Sequence, residues 1–171
     1  MRTLINMVAA LTAILGVGVL AFFGWSQARH ELGVSVTQSA VERIQREIAR
    51  RASMDGVVRT ETGWPVSIDA AWFEDGVPRN ALVAGNGRAW IEIASDEEKN
   101  LSDPRIRAIT PGASGLAEFW YNPARGIVRA RVASRLSDRV ALDAYNRINH
   151  THLDAIVEGA SLASVDDDAA R

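Results

Sequence analysis

Polar and apolar positions divide the chain into stretches of different period. From Leu4 to Gly24 almost every position is apolar, with Asn6 and Thr12 the clearly polar exceptions and no charge. Such a run meets the ~20 residues that a membrane-spanning helix needs, and it exceeds the ~7–15 residues of a signal-peptide core. Trp25, after Phe22 and Phe23, stands where an interfacial aromatic belongs. The expectation is a retained transmembrane anchor over residues 1–28. A signal cleaved after Ala28 and a buried soluble helix are the alternatives. Gly16, Gly18 and Ala21 would let helices approach closely within the bilayer.

The period changes after the anchor. Val34, Thr37, Val41, Ile44 and Ile48 recur every three or four residues, one apolar stripe on a helix. Glu42 precedes Arg46 by four, and Glu47 precedes Arg51 by four, which suits an exposed opposite face. Gly33 marks an expected bend, and Asp55-Gly56 an expected stop. Residues 29–56 thus read as an amphipathic continuation of the anchor. Two partners fit the stripe: the protein's own domain, or a neighbouring copy against which Val34, Val41, Ile44 and Ile48 would form an assembly face.

Residues 57–158 read as a small α+β head. Pro65, Pro78 and Asp75-Gly76 break helices around Trp64, Trp72 and Phe73, which are expected to plug the space between the long helix and a sheet. Residues 88–94 alternate, and two further runs flank Asn122-Pro123-Ala124-Arg125, a loop suited to closing a hairpin. The sheet is therefore expected to be small and antiparallel. Its Val128, Ala130 and Val132 would face inward, and Arg129 and Arg131 would face water beside Arg125, with Glu118 opposite as a cross-strand ion partner. Val140, Ala144 and Ile148 align on a C-terminal helix starting at Ser137 or Asp138, with Leu153, Ile156 and Val157 as an extension. Residues 159–171 are small and acidic, and they read as a disordered tail.

Composition narrows the chemistry. The 171 residues carry a net charge of -2, so no basic field points to nucleic acid. No cysteine is present, which excludes disulfides, thiolate metal sites and a cysteine nucleophile. Lys99 is the single lysine among many arginines, a bias read as that of a GC-rich bacterial genome. His150 and His152 have no third ligand at a familiar spacing, so no metal site is expected. Gly112–Gly115 lacks the spacing of a nucleophile elbow, and Gly85-Asn86-Gly87 lacks the lysine of a phosphate loop. Neither an enzyme nor a cofactor is expected.

The anchor through Trp25, the stripe from Val34 to Ile48, "GWPVSIDAAWF" and "AEFWYNPARGIVRARV" together resemble type IV pilins and type II secretion pseudopilins, particularly the G-type major pseudopilin. That resemblance implies a long N-terminal helix packed on a small antiparallel sheet. It also implies a periplasmic head, and an anchor that sits in the inner membrane until the subunit packs against others. "MRTLINMVAALTAIL" has neither the family's glycine nor its early glutamate, so processing by a prepilin peptidase is not expected. The function expected is a membrane-anchored, pilin-like subunit or accessory protein of a bacterial secretion or pilus system. Its partners would be the lipid bilayer and other pilin-like subunits or its own copies. The alternative is a single-pass anchored periplasmic binding module with a groove at Trp64, Trp72 and Trp120.

Overall fold

The computed structural model describes residues 2–83, 87–110, 115–135 and 137–157, and the side chains of these except 2–14 and 23. The acidic tail and most of the Gly85–Gly87 and Gly112–Gly115 motifs lie outside the described residues. The chain is α+β. A long helix α1 (Arg2–Ala52) is followed by strands β1 (Ile91–Ile93), β2 (Ala108–Ile109), β3 (Phe119–Asn122), β4 (Ile127–Ala130) and β5 (Val132–Ala133), then helix α2 (Asp138–Asn149). Two compact units are present, residues 1–33 and 34–171. Among the described residues no helix is long and apolar enough to cross a membrane. Much of the apolar run, through Ile14, falls on side chains outside that description.

In the second unit the α1 stripe is core. Val34, Ile44 and Ile48 are fully buried, with Val41 beside them. Thr37 belongs to the same face because its hydroxyl is used. It donates to Asn80 Oδ1 at 3.3 Å and accepts from the Ala81 amide at 3.1 Å. Burial of four branched side chains supplies about 1.5–3 kcal/mol each, and this holds the head to the helix.

The sheet is mixed rather than antiparallel. Its order is β1-β3-β4, with β3 and β4 antiparallel and β1 parallel to β3 in the register Ile91↔Phe119. The hairpin expected around residues 122–125 is present. The parallel pairing follows from the long passage between Ile93 and Phe119, since parallel neighbours need a crossover rather than a tight turn. That passage contains β2, which pairs in parallel with β5.

Both faces of the sheet are covered, which corrects the expectation of a wet face. Phe119, Tyr121, Val128 and Ala130 join the core with α1. On the other face Trp120 and Asn122 are buried beneath the β1–β2 passage. Trp120 Nε1 donates to Glu98 Oε2 at 3.2 Å, and the Asn122 amide donates to the carbonyls of Glu98, Lys99 and Leu101 at 3.2, 2.9 and 2.8 Å. Arg131 is only 2% exposed and pairs with Glu92, not Glu118. Arg129 pairs with Asp103 at 3.0 Å. Glu118 is buried, bound by Arg79 and by the Asn80 amide at 3.0 Å.

Helix α2 buries Ala141, Ala144, Tyr145 and Ile148. Val140 is 46% exposed, so the apolar stripe starts one residue later than expected. The helix also ends at Asn149 rather than continuing through Val157. His150 takes φ 52 at its C-cap, and Asn146 Oδ1 then accepts from the Leu153 amide at 3.0 Å and the Thr151 hydroxyl at 2.8 Å. These bonds turn the chain away from the helix axis and bring Ile156 into the core.

Candidate functional site

In the first unit the described side chains present an uncovered apolar surface. Leu15, Val17, Val19, Leu20, Phe22 and Trp25 are each more than half exposed. Ala21 is exposed as well, and a Cβ added at Gly16 or Gly18 would meet nothing within 4 Å. The three small residues therefore lie open to whatever packs there. The Arg29 guanidinium stacks on the Trp25 ring, 3.9 Å from its centroid, so an amphipathic pair closes the apolar run.

Among the described residues, clefts of the head lie along α1. One, of about 410 Å³, lies between α1 and the short 3-10 turn Ala70–Trp72 with its flanking residues. Most of its charges are paired with one another. Arg50 and Arg51 bind Glu47 at 2.6 and 2.7 Å, and Arg43 reaches Asp75 at 3.8 Å. The Arg43 and Arg51 guanidinia also lie over the rings of Phe73 and Trp72. The Arg50 hydrogen bond, aided by Arg51, holds the Glu47 carboxyl below its usual pKa against the opposing effect of burial.

The second groove, of about 530 Å³, runs between α1, β4 and the end of α2. Its floor is the outer edge of β4, where two side-chain amides take the place of a neighbouring strand. Gln45 donates to the Gly126 carbonyl at 2.7 Å and accepts from the Val128 amide at 3.2 Å. Asn149 accepts from the Ala130 amide at 2.7 Å and donates to the Ala130 carbonyl at 3.0 Å. An exposed strand edge is a template for unwanted pairing, and these contacts occupy it. Sequence reading gave neither Gln45 nor Asn149 this role, and Asn149 drew notice only as part of an Asn-His-Thr glycosylation pattern. Their only signal was a polar residue flanking each apolar stripe.

Sites expected from sequence are distributed as follows. The stripe Val34, Val41, Ile44 and Ile48 is seated in the head's own core. Trp64 and Trp72 are half-buried, but Trp120 is fully buried on the other face of the sheet, so the three do not line one groove. His150 lies 3.3 Å from the Gln38 amide nitrogen and 3.6 Å from Glu42 Oε1. Among the described residues no three histidine or carboxylate side chains come together as metal ligands. Buried Tyr145 donates to Asp103 at 2.9 Å, and burial first, then the Asp103 charge, raises its pKa well above the usual phenol value. Compared with protein-family models, curated proteins and solved structures, the chain matches none.

Proposed function

We propose that the protein is a membrane-anchored, pilin-like structural subunit or accessory protein of a bacterial secretion or pilus system. In this reading the start of α1 sits in the inner membrane and the head lies in the periplasm. One observation carries it: from Leu15 to Trp25 the described side chains are apolar and exposed, whereas the second half of the same helix spends its apolar stripe on the head. An uncovered apolar patch of this kind needs lipid or another helix to remove it from water. The charge-free residues preceding it extend the run to the length a bilayer requires. With Val34 to Ile48 already occupied, lateral assembly falls to the first unit, where Gly16, Gly18 and Ala21 permit backbones to approach.

The absence of cysteine makes single-cysteine variants clean probes. Expressed in a bacterial host, the full chain is expected to pellet with membranes and to resist alkaline carbonate extraction. Asp154→Cys in the head is expected to react with a membrane-impermeant maleimide in spheroplasts. Ala21→Cys is expected to form disulfide-linked dimers in membranes, and Gly18→Leu in that background to reduce them several-fold while the head stays folded. Release by carbonate would overturn the anchor, and equal crosslinking with and without Gly18→Leu would overturn the assembly face.

A further inference from the structure

The chain has two Asp-Gly pairs, Asp55-Gly56 just past α1 and Asp75-Gly76 just past the 3-10 turn, and a valine follows each. In this dipeptide the side-chain carboxyl and the next backbone nitrogen can close a ring, because glycine puts no Cβ in the path. All four residues are exposed. Both glycines have positive φ, +81 and +89, and a Cβ added at either would meet nothing within 4 Å. Sequence, backbone region and free space therefore do not separate the two pairs.

Their tertiary contacts do. The Gly76 amide donates to the Phe73 carbonyl at 3.0 Å. Phe73 is buried and meets Trp90 edge-on at 5.5 Å, which ties that turn to the core. The Asp75 carboxylate also lies 3.8 Å from the Arg43 guanidinium. Ring closure there would break the amide hydrogen bond and draw the carboxyl away from its cation. None of these restraints acts on Asp55. Among the described residues the Gly56 amide donates to no acceptor, and Asp55 has no ion-pair partner. Every residue from Ser53 to Gly56 is exposed. A segment with so few contacts leaves its resting conformation more often than one held to the core.

We infer that Asp55-Gly56 is a site of spontaneous modification in the folded protein, where Asp55 isomerises to isoaspartate, and that the fold protects Asp75-Gly76 from the same reaction. The Gly56 nitrogen attacks the side-chain carboxyl carbon of Asp55. A C–N bond forms and the C–OH bond breaks, the amide proton and the hydroxyl leave as water, and a five-membered succinimide remains. Water then opens the ring. Opening at the side-chain carbonyl restores aspartate. Opening at the backbone carbonyl leaves the main chain running through the former side chain and frees the α-carboxylate. Water lost in the first step returns in the second, so the reaction needs no other reactant and leaves the mass unchanged. One methylene thereby enters the main chain where α1 passes into the short Val58–Val66 hairpin.

The test follows isoaspartate by tandem mass spectrometry in the purified full chain, aged in detergent at mildly acidic pH beside a sample unfolded in guanidinium chloride. Trypsin separates the two pairs, with Asp55 in the peptide of residues 52–59 and Asp75 in that of residues 60–79. In the folded chain isoaspartate is expected to accumulate several-fold faster at Asp55 than at Asp75. In the unfolded chain the two rates are expected to converge, because both pairs are followed by the same residue. Gly56→Ala, which puts a methyl group beside the attacking nitrogen, is expected to slow the Asp55 reaction several-fold. Absence of isoaspartate at Asp55, a folded-state rate at Asp75 that equals or exceeds that at Asp55, or an unchanged ratio after unfolding overturns the proposal. An Asp55 rate unaffected by Gly56→Ala overturns the ring-closure route.

Discussion

Replacing Gly126 with alanine tests the junction between the β3–β4 turn and the aromatic loop. Gly126 has φ +66, and a Cβ built on it would lie 2.2 Å from Trp64 Cδ2 and 2.3 Å from Cε2. Ordinary contact begins near 3.4 Å, so the ring would have to withdraw by about 1 Å. It has little freedom to do so. The Trp64 carbonyl accepts from the Thr60 amide at 2.8 Å, the Thr60 hydroxyl lies 3.3 Å from the Pro123 carbonyl, and Tyr121 donates to the Pro65 carbonyl at 2.7 Å. Alanine in the left-handed region costs about 1–2 kcal/mol, and forcing an extra group into a packed site about 1–3 kcal/mol. Gly126→Ala should therefore lose about 2–5 kcal/mol. Gly56→Ala isolates the backbone share, because Gly56 has φ +81 with nothing within 4 Å of its added Cβ, and it should lose only about 1–2 kcal/mol. Urea unfolding followed by far-ultraviolet circular dichroism measures both, and a cycle with Trp64→Leu separates the ring clash from the backbone cost. If Gly126→Ala is no worse than Gly56→Ala, or if Trp64→Leu does not lessen its effect, the ring does not set this requirement.

Three further outcomes are expected. Asn149→Ala, which strips the Ala130 amide and carbonyl of their buried partners, should cost about 2–4 kcal/mol and raise the aggregation rate through the freed β4 edge, read by urea unfolding and light scattering. Glu118→Ala leaves Arg79 and the Asn80 amide without their buried acceptor. It should lower stability by about 3–5 kcal/mol, whereas a drop below ~1 kcal/mol in urea unfolding would show that water replaces the carboxylate. Burial raises the phenol pKa of Tyr145 and Tyr121 in the folded state. Their contribution is complete below the unfolded phenol value near pH ~10 and is lost as pH rises beyond it. Denaturation midpoints should fall steeply above pH ~10 and less steeply in Tyr145→Phe, with Tyr121 retaining part of the slope.

Local periodicity was enough to locate both helices, though not the end of α2. The spacing from Val34 to Ile48 marks one buried face because a helix repeats every 3.6 residues whatever it packs on. Asn122-Pro123-Ala124-Arg125 likewise announces a turn by its own conformational preferences. What that stripe touches is a different matter, since an apolar face reads the same whether the chain itself or another copy covers it. The parallel pairing of β1 with β3 was invisible for a similar reason: two alternating runs carry no mark of direction, and only the long crossover decides it. Arg129 and Arg131 read as solvent-facing because strand alternation reports sides of a sheet, not what lies over them. The β1–β2 passage covers that side and supplies Asp103 to Arg129, while Glu92 of β1 answers Arg131. The amide caps of Gln45 and Asn149 likewise depend on residues between 19 and 83 positions apart. Period is a property of neighbours along the chain, whereas burial, pairing and charge balance are properties of neighbours in space, and only folding brings those together.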